Sequence, residues 1–383
     1  MIEGSTDNQT FLSSVSHFLM RALIVFPLAT FGLPLLTATA SIAGDLPAEF
    51  LREIIDTAVA RGVPGIVVRV ETRDGEVWSG AAGLTRIEGG VALTTGDALR
   101  IFSISKMATA AAVLTLVDDG LVSLDDKIGV RLDADLVAGI PHGDSIDIGS
   151  LIAQTSGIRE YFDDSFSGTI RQDPSRRWEP AELVSLASKG DPTASPGSDV
   201  SYYSNTNYVL LGLIIEAATD MPLAEAVRSR LLEPLGMNNS YSPGESGPAL
   251  NVAGYVPAGG NMIDASGADL SIAYGAGFLT STAEDVARLT RGLFESDLLS
   301  PESRALMTSG FRPLEGTPVD YGYGTFLFKM LDPSPIGHTG QGPGFSSVAA
   351  WWPESGTVVV ILTNIQAEAH VGTLMEIAES LDN

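Results

Sequence analysis

Between Ile104 and Asp119 the chain runs through Met107-Ala108-Thr109-Ala110-Ala111-Ala112-Val113-Leu114, with Lys106 the only charge before Asp118, and Gly120 follows directly. Alanine, leucine and methionine favour helix, and a glycine just past the end is a common stop. A helix apolar on all sides has to be covered on all sides. The rest of the chain must therefore enclose this helix. With 383 residues there is room for about two domains, or for one platform carrying a large insertion. A hydrophobic content of 44% against 18% charged residues marks a globular chain with a sizeable core.

The entrance of that helix carries chemistry. In Arg100-Ile101-Phe102-Ser103-Ile104-Ser105-Lys106, Ser103 and Lys106 stand three positions apart, so one helical turn stacks both side chains on one face. A serine hydroxyl is a weak nucleophile until a neighbour accepts its proton. A lysine can do so only when its ammonium is destabilised, as burial at the positive end of a helix would do. In a serine-rich chain an S-x-x-K match alone occurs by chance, so the motif needs partners.

Charge and residue usage exclude several classes. A formal net charge of -25 sets the surface against nucleic acid and anionic membranes. The absence of cysteine excludes disulfides, thiolate catalysis and a lipid anchor on cysteine. The four histidines, His17, His142, His338 and His370, show no zinc-ligand spacing, so no metal is expected.

Taken in order, Met20-Arg21, the apolar run Ala22 to Leu36 and an A-x-A ending near Ala43 describe a secretory signal peptide. Residues 1–43 are read as that leader, with Met20 as the expected true start. The run is too short, and too broken by Pro27 and Pro34, for a membrane span. A secreted or periplasmic protein follows, with no stable span after cleavage. Pro47 to Arg61 has helical periodicity, and Gly65 to Gly80 reads as a hairpin through Asp74-Gly75. Helices are expected at Ile148 to Ala153, Pro180 to Ser188, Thr206 to Thr219 and Leu223 to Leu235. Another starts from a capping box at Ser281-Thr282-Ala283-Glu284. Strands return at Tyr323 to Met330, Phe345 to Trp352 and Thr357 to Asn364, followed by a helix from Ala367 to Leu381. The pattern predicts an α/β (α+β) fold: one antiparallel sheet built from both chain ends, flanked by terminal helices, with a large helical insertion. Residues 44–383 form the expected domain, with 104–315 mainly helical and 44–103 plus 316–383 making the sheet platform.

Two further signatures accompany Ser103 and Lys106. Tyr203-Ser204-Asn205 lies at a loop-to-helix junction, where a phenol near a cation can relay protons and an amide can orient a substrate. Gly337-His338-Thr339-Gly340-Gln341-Gly342 reads as a strand whose small residues let a substrate backbone lie close and whose N–H groups are oxyanion donors. Taken singly, Tyr203 is more often a packed aromatic and His338 a structural histidine.

In the order S-x-x-K, Y-x-N, H-T-G, the three motifs resemble the penicillin-recognising serine hydrolases, nearest to the serine D-alanyl-D-alanine carboxypeptidases and class C β-lactamase-like proteins. Leu151 to Ile158, Gly275 to Asp285 and Tyr321 to Gly324 echo the same family. The resemblance implies Ser103 as the acylated nucleophile, Lys106 as its base and Tyr203 as proton shuttle. It also implies Asn205, His338, Thr339, Gly340 and Gln341 as substrate-binding, with the Ser103 and Gln341 backbone N–H groups as the oxyanion hole and no metal or organic cofactor. The implied substrate is a small peptide, ester or β-lactam, a peptidoglycan stem peptide among them. The alternatives are a β-lactamase-like esterase, a β-lactamase, or a non-catalytic module that binds cell-wall peptides. Three positions depart from relatives: Gln341 for a common serine or threonine, Gln154 for a frequent histidine, and Phe328 where some carboxypeptidases hold the substrate carboxylate with arginine.

Overall fold

The computed structural model describes residues 46–243, 245 and 250–381, so the expected leader at residues 1–43 lies outside the described residues. The expected hairpin is β1 (Gly65–Glu71) and β2 (Val77–Gly83). Two small pairs follow, β3 (Leu99–Arg100) with β6 (Thr280–Ser281) and β4 (Tyr255–Ala258) with β5 (Asn261–Asp264). Short strands β7 (Arg312–Pro313), β8 (Asp320–Tyr321) and β9 (Phe326–Leu327) lead to β10 (Ile336–Gly342), β11 (Phe345–Trp351) and β12 (Val358–Thr363). The main sheet is antiparallel throughout, in the order β2-β1-β12-β11-β10-β9-β8-β7. Val68 faces Ile361, which faces Val348 in turn, so β-branched residues from both chain ends meet in the centre.

The helices are α1 (Ala48–Ala60), α2 (Ser105–Asp118), α3 (Ala134–Ala138), α4 (Ile148–Ile152), α5 (Asp164–Gln172), α6 (Pro180–Ala187), α7 (Asn205–Thr219), α8 (Leu223–Val227), α9 (Ala283–Glu295), α10 (Pro301–Thr308) and α11 (Ala369–Leu381). The terminal helices α1 and α11 pack against each other on one sheet face, over Ile66, Val68, Val359 and Ile361. The other face, bearing Val67, Val360 and Leu362, merges with the core of the helical region and is covered by α9. There α2 is buried from Ser105 to Leu116, with α7, α8, α10 and β10 against it. An apolar helix is thus enclosed on every side, as its composition requires.

Local departures from expectation have identifiable causes. Of the run expected as one strand from Tyr323 to Met330, only Phe326–Leu327 is paired, after a turn at Gly324 whose φ is 80°. The cap of α9 is shifted by one residue: Thr282, not Ser281, accepts from the Asp285 backbone N–H at 3.2 Å. The expected helix Leu223 to Leu235 gives way after Val227 to a wider π turn, Arg228–Leu232. Helices α3, α5 and α10 carry too few periodic apolar residues to stand out in the sequence.

Candidate active site

Ser103 sits in a 3₁₀ turn, Phe102–Ile104, that runs directly into α2. Phe102 precedes it with φ of 43°, a left-handed conformation that costs about 1–3 kcal/mol outside glycine. Around the turn, the Leu279 backbone N–H donates to Ser105 Oγ (3.1 Å) and Thr109 Oγ1 donates to Gly275 O (2.7 Å). The Gly275 to Leu279 stretch therefore backs the first turns of α2.

Lys106 is fully buried one turn on. Its Nζ donates to Asn205 Oδ1 at 2.6 Å, to Ala276 O at 2.8 Å and to Ser103 Oγ at 3.0 Å. The Tyr203 and Tyr208 rings lie 5.0 and 5.3 Å from it. Burial pulls the Lys106 ammonium down to about 7, against the pull of the Glu160 carboxylate in the opposite direction. Close to neutrality this amine can accept a proton from the hydroxyl beside it.

Tyr203 and Asn205 come from the start of α7, which a distant loop holds in place. The side chain of Gln154, itself at φ of 61°, accepts from the Ser204 backbone N–H at 2.9 Å and from Asn207 Nδ2 at 2.5 Å. Glu160 Oε2 accepts from the Asn205 backbone N–H at 2.7 Å and from Asn205 Nδ2 at 2.9 Å, while its other oxygen accepts from the Phe162 N–H at 2.7 Å. Burial, and next the neighbouring Tyr321, push the Tyr203 phenol well above 10, with a hydrogen bond to Ser103 opposing them. It is a neutral phenol at physiological pH, able to donate a proton.

The strand motif is placed differently. His338 is fully buried, its ring 4.2 Å from that of Phe326 and its Nδ1 against Thr339 O. Burial and then Lys106 drive it down to about 3, so it is a neutral imidazole. A cavity of about 410 Å³ opens from Ser103 and is lined by Asn205 and Gln341, but not by His338, Thr339 or Gly340. Gln341 donates from Nε2 to Ser346 Oγ at 3.3 Å. Strand β9 pairs with β10 only at Ile336 and Gly337, so the edge of β10 from His338 onward has no strand beside it.

The cavity is walled by Phe102, Phe162, Ile170, Ile263 and Ile272, with Asp163, Asp164 and Asp264 among its polar groups. Arg171 is the one cation lining it among the described residues. Phe328 is buried in the core beneath the sheet, and Lys329 is paired with Asp320 at 2.5 Å, so neither reaches the cavity. Glu160, Phe162 and Arg171 were not legible in the sequence. Glu160 bonds the Asn205 backbone N–H, 45 residues along the chain, a contact that no spacing announces. Among the described residues, no three or more metal-liganding side chains converge, and no helix is long and apolar enough to cross a membrane.

The family model described as Beta-lactamase matches residues 51–381. Penicillin-binding protein 4 of Amycolatopsis lactamdurans is 28% identical over 325 residues, covering 79% of this chain and 81% of that protein. Among solved structures, a D-stereospecific amidohydrolase from Streptomyces sp. aligns with a TM-score of 0.75 and 29% identity over 86% of this chain and 97% of its own. D-amino acid amidase from Ochrobactrum anthropi SV3, complexed with L-phenylalanine amide, aligns with a TM-score of 0.77 and 25% identity over 87% of this chain and 97% of its own.

Proposed function

Because the chain belongs to the beta-lactamase family of serine hydrolases, we propose that it cleaves amide bonds of small acyl donors through an acyl-enzyme on Ser103. The observation that carries this reading is Lys106 Nζ, buried, held near a pKa of about 7 and 3.0 Å from Ser103 Oγ at the floor of the cavity. Ser103 Oγ attacks the substrate carbonyl while its proton passes to Lys106. The backbone N–H groups of Ser103 and Gln341 receive the oxyanion. Tyr203 then hands a proton to the departing amine, and as the tetrahedral centre collapses the C–N bond breaks. A water molecule attacks the resulting ester, losing its proton along the same relay, and releases the acid with Ser103 restored.

The cavity favours an amide whose acyl part carries an apolar side chain and which bears no carboxylate: its walls are largely aliphatic and aromatic, and its own carboxylates outnumber Arg171. The names of the two solved relatives, a D-stereospecific amidohydrolase and a D-amino acid amidase, support a D-amino-acyl substrate. A second reading, D-alanyl-D-alanine carboxypeptidase action on peptidoglycan peptides, is favoured by Arg171 at the cavity, where a terminal carboxylate would find its only lining cation among the described residues. The leader-like stretch from Met20 to Ala43 supports a secreted or periplasmic location, where such peptides occur.

The test is a panel of D-phenylalanine amide, a D-alanyl-D-alanine peptide, a short-chain aryl ester and a fluorescent penicillin, with adducts mapped by mass spectrometry. The amide turns over and Ser103→Ala abolishes turnover. An adduct on another residue, or unaltered turnover in Ser103→Ala, overturns the mechanism. Preference for the peptide, with KM for it raised selectively in Arg171→Ala, moves the assignment to the second reading.

A further inference from the structure

We infer that Glu160 is a positioning residue of this site, acting on Ser103 through Asn205 and Lys106, an inference that rests on the acyl-enzyme reading above. Its carboxylate does not line the cavity. It is half-buried beside Asn205, and its three hydrogen bonds all come from protein N–H groups: Asn205 N at 2.7 Å, Asn205 Nδ2 at 2.9 Å and Phe162 N at 2.7 Å. Helix α7 begins at Asn205, so the charge also lies at the positive end of that helix.

The consequence concerns which way the Asn205 amide points. With Nδ2 drawn to the carboxylate, Oδ1 must face Lys106, where it accepts at 2.6 Å. The flipped amide would set oxygen against carboxylate, and its NH₂ could meet the neutral amine only by donating to the lone pair. A neutral lysine amine has two hydrogens and one lone pair. Asn205 Oδ1 and Ala276 O are acceptors with nothing to donate, so they take the two hydrogens. The lone pair is then left for the third neighbour, the Ser103 hydroxyl at 3.0 Å. Glu160 thereby holds the base in the orientation that deprotonation of Ser103 requires.

Its charge has a second effect. The titratable groups around Lys106 are Glu160, Tyr203 and Tyr208 on the loop and α7, and His338 on β10. Both phenols are pushed far up and the imidazole far down by burial, so all three are uncharged near neutrality. Desolvation raises the Glu160 carboxyl above its ordinary value, against the hydrogen bonds from Asn205 and Phe162 and the charge of Lys106, and in its ionised form it is the group that supports the protonated form of Lys106. Removing it lowers the proton affinity of Lys106 and moves the acid limb of the reaction to lower pH.

The experiment follows the rate of Ser103 labelling by a neutral fluorophosphonate between pH 5 and 9 in the wild type, Glu160→Gln and Glu160→Asp. Glu160→Gln is expected to label at least about tenfold more slowly on the plateau and to carry its acid limb about half a unit or more lower. Glu160→Asp, which keeps the charge but withdraws it from Asn205, is expected to label slowly with the limb where the wild type has it. A residue that merely caps α7 would change the melting temperature and leave the limb in place. An unmoved limb in Glu160→Gln therefore overturns the inference. If that variant does not fold, Glu160→Asp decides: wild-type labelling rates across the range overturn it. Labelling of the wild type elsewhere than Ser103 overturns the acyl-enzyme reading itself and takes this inference with it, whereas labelled Ser103 with superimposed profiles removes the inference alone.

Discussion

Gly340 packs directly against the backbone that leads into the Ser103 turn, and adding one methyl there tests how closely that geometry is held. A Cβ at Gly340 would stand 2.0 Å from the Ile101 carbonyl oxygen and 2.4 Å from Ser347 Oγ. Such carbon–oxygen contacts settle at about 3.3 Å or more, so something must move by about 1 Å. Neither neighbour yields easily. Ile101 is two residues before Ser103, and Ser347 Oγ is itself bonded to Ile101 O at 2.9 Å. Strand β10 is paired with β11 along all seven of its residues, from Ile336↔Trp351 to Gly342↔Phe345. Overpacking of this kind costs about 1–3 kcal/mol, and displacing reacting groups by about 1 Å costs on the order of a hundredfold in rate. Gly340→Ala should therefore lower kcat on an amide or aryl ester by about two orders of magnitude, with KM changed far less and the melting temperature lowered by a few degrees. A Gly340→Ala enzyme within twofold of wild-type kcat, with an unchanged melting temperature, would refute the argument that β10 and the Ser103 turn are in rigid contact.

Lys106→Met keeps most of the side-chain volume and removes the base, so the labelling rate of Ser103 should fall by about 10²–10⁴-fold while circular dichroism stays native; wild-type labelling would contradict the assignment. In the wild type, acylation should fall about tenfold per pH unit below the Lys106 pKa of about 7, and a flat profile from pH 5 to 7 would count against a neutral amine as base. His370 is buried and held down at about 4, so below its unfolded value of 6.5 the unfolded chain takes up a proton that the folded chain refuses. Stability is thus complete above pH 6.5 and is lost as pH falls toward 4, by about 2 kcal/mol at pH 5 from this group. His370→Leu should flatten the fall in urea midpoint between pH 7.5 and 5 by that amount, and equal slopes in the two proteins would refute it.

Patterns that repeat at short range were readable from the residues alone. The enclosed helix, the hairpin, the strand β12 and the terminal helices follow from periodicity and turn chemistry, because each is decided by residues within a few positions of one another. Ser103 and Lys106 were equally legible, since one helical turn determines their spacing and Lys106 Nζ reaches Ser103 Oγ at 3.0 Å. The expected strand from Tyr323 to Met330 failed for the opposite reason. Its pairing depends on which strand lies beside it, and β9 meets β10 at two residues only.

What the sequence determined by itself was a buried apolar helix opening on a serine and a lysine, a sheet drawn from both chain ends, and the family whose motif order it shares. Tertiary structure alone decided the electrostatics and the shape of the site. Lys106 is drawn down to about 7, and His338 to about 3, by the layers packed over them, and nothing in their neighbours along the chain reports that burial. The Glu160 carboxylate meets Asn205 across 45 residues, and the Ile170, Ile263 and Ile272 walls come from separate segments of the helical region. A proton affinity and a cavity wall are both sums over groups close in space, so they exist only once the chain has brought those groups together.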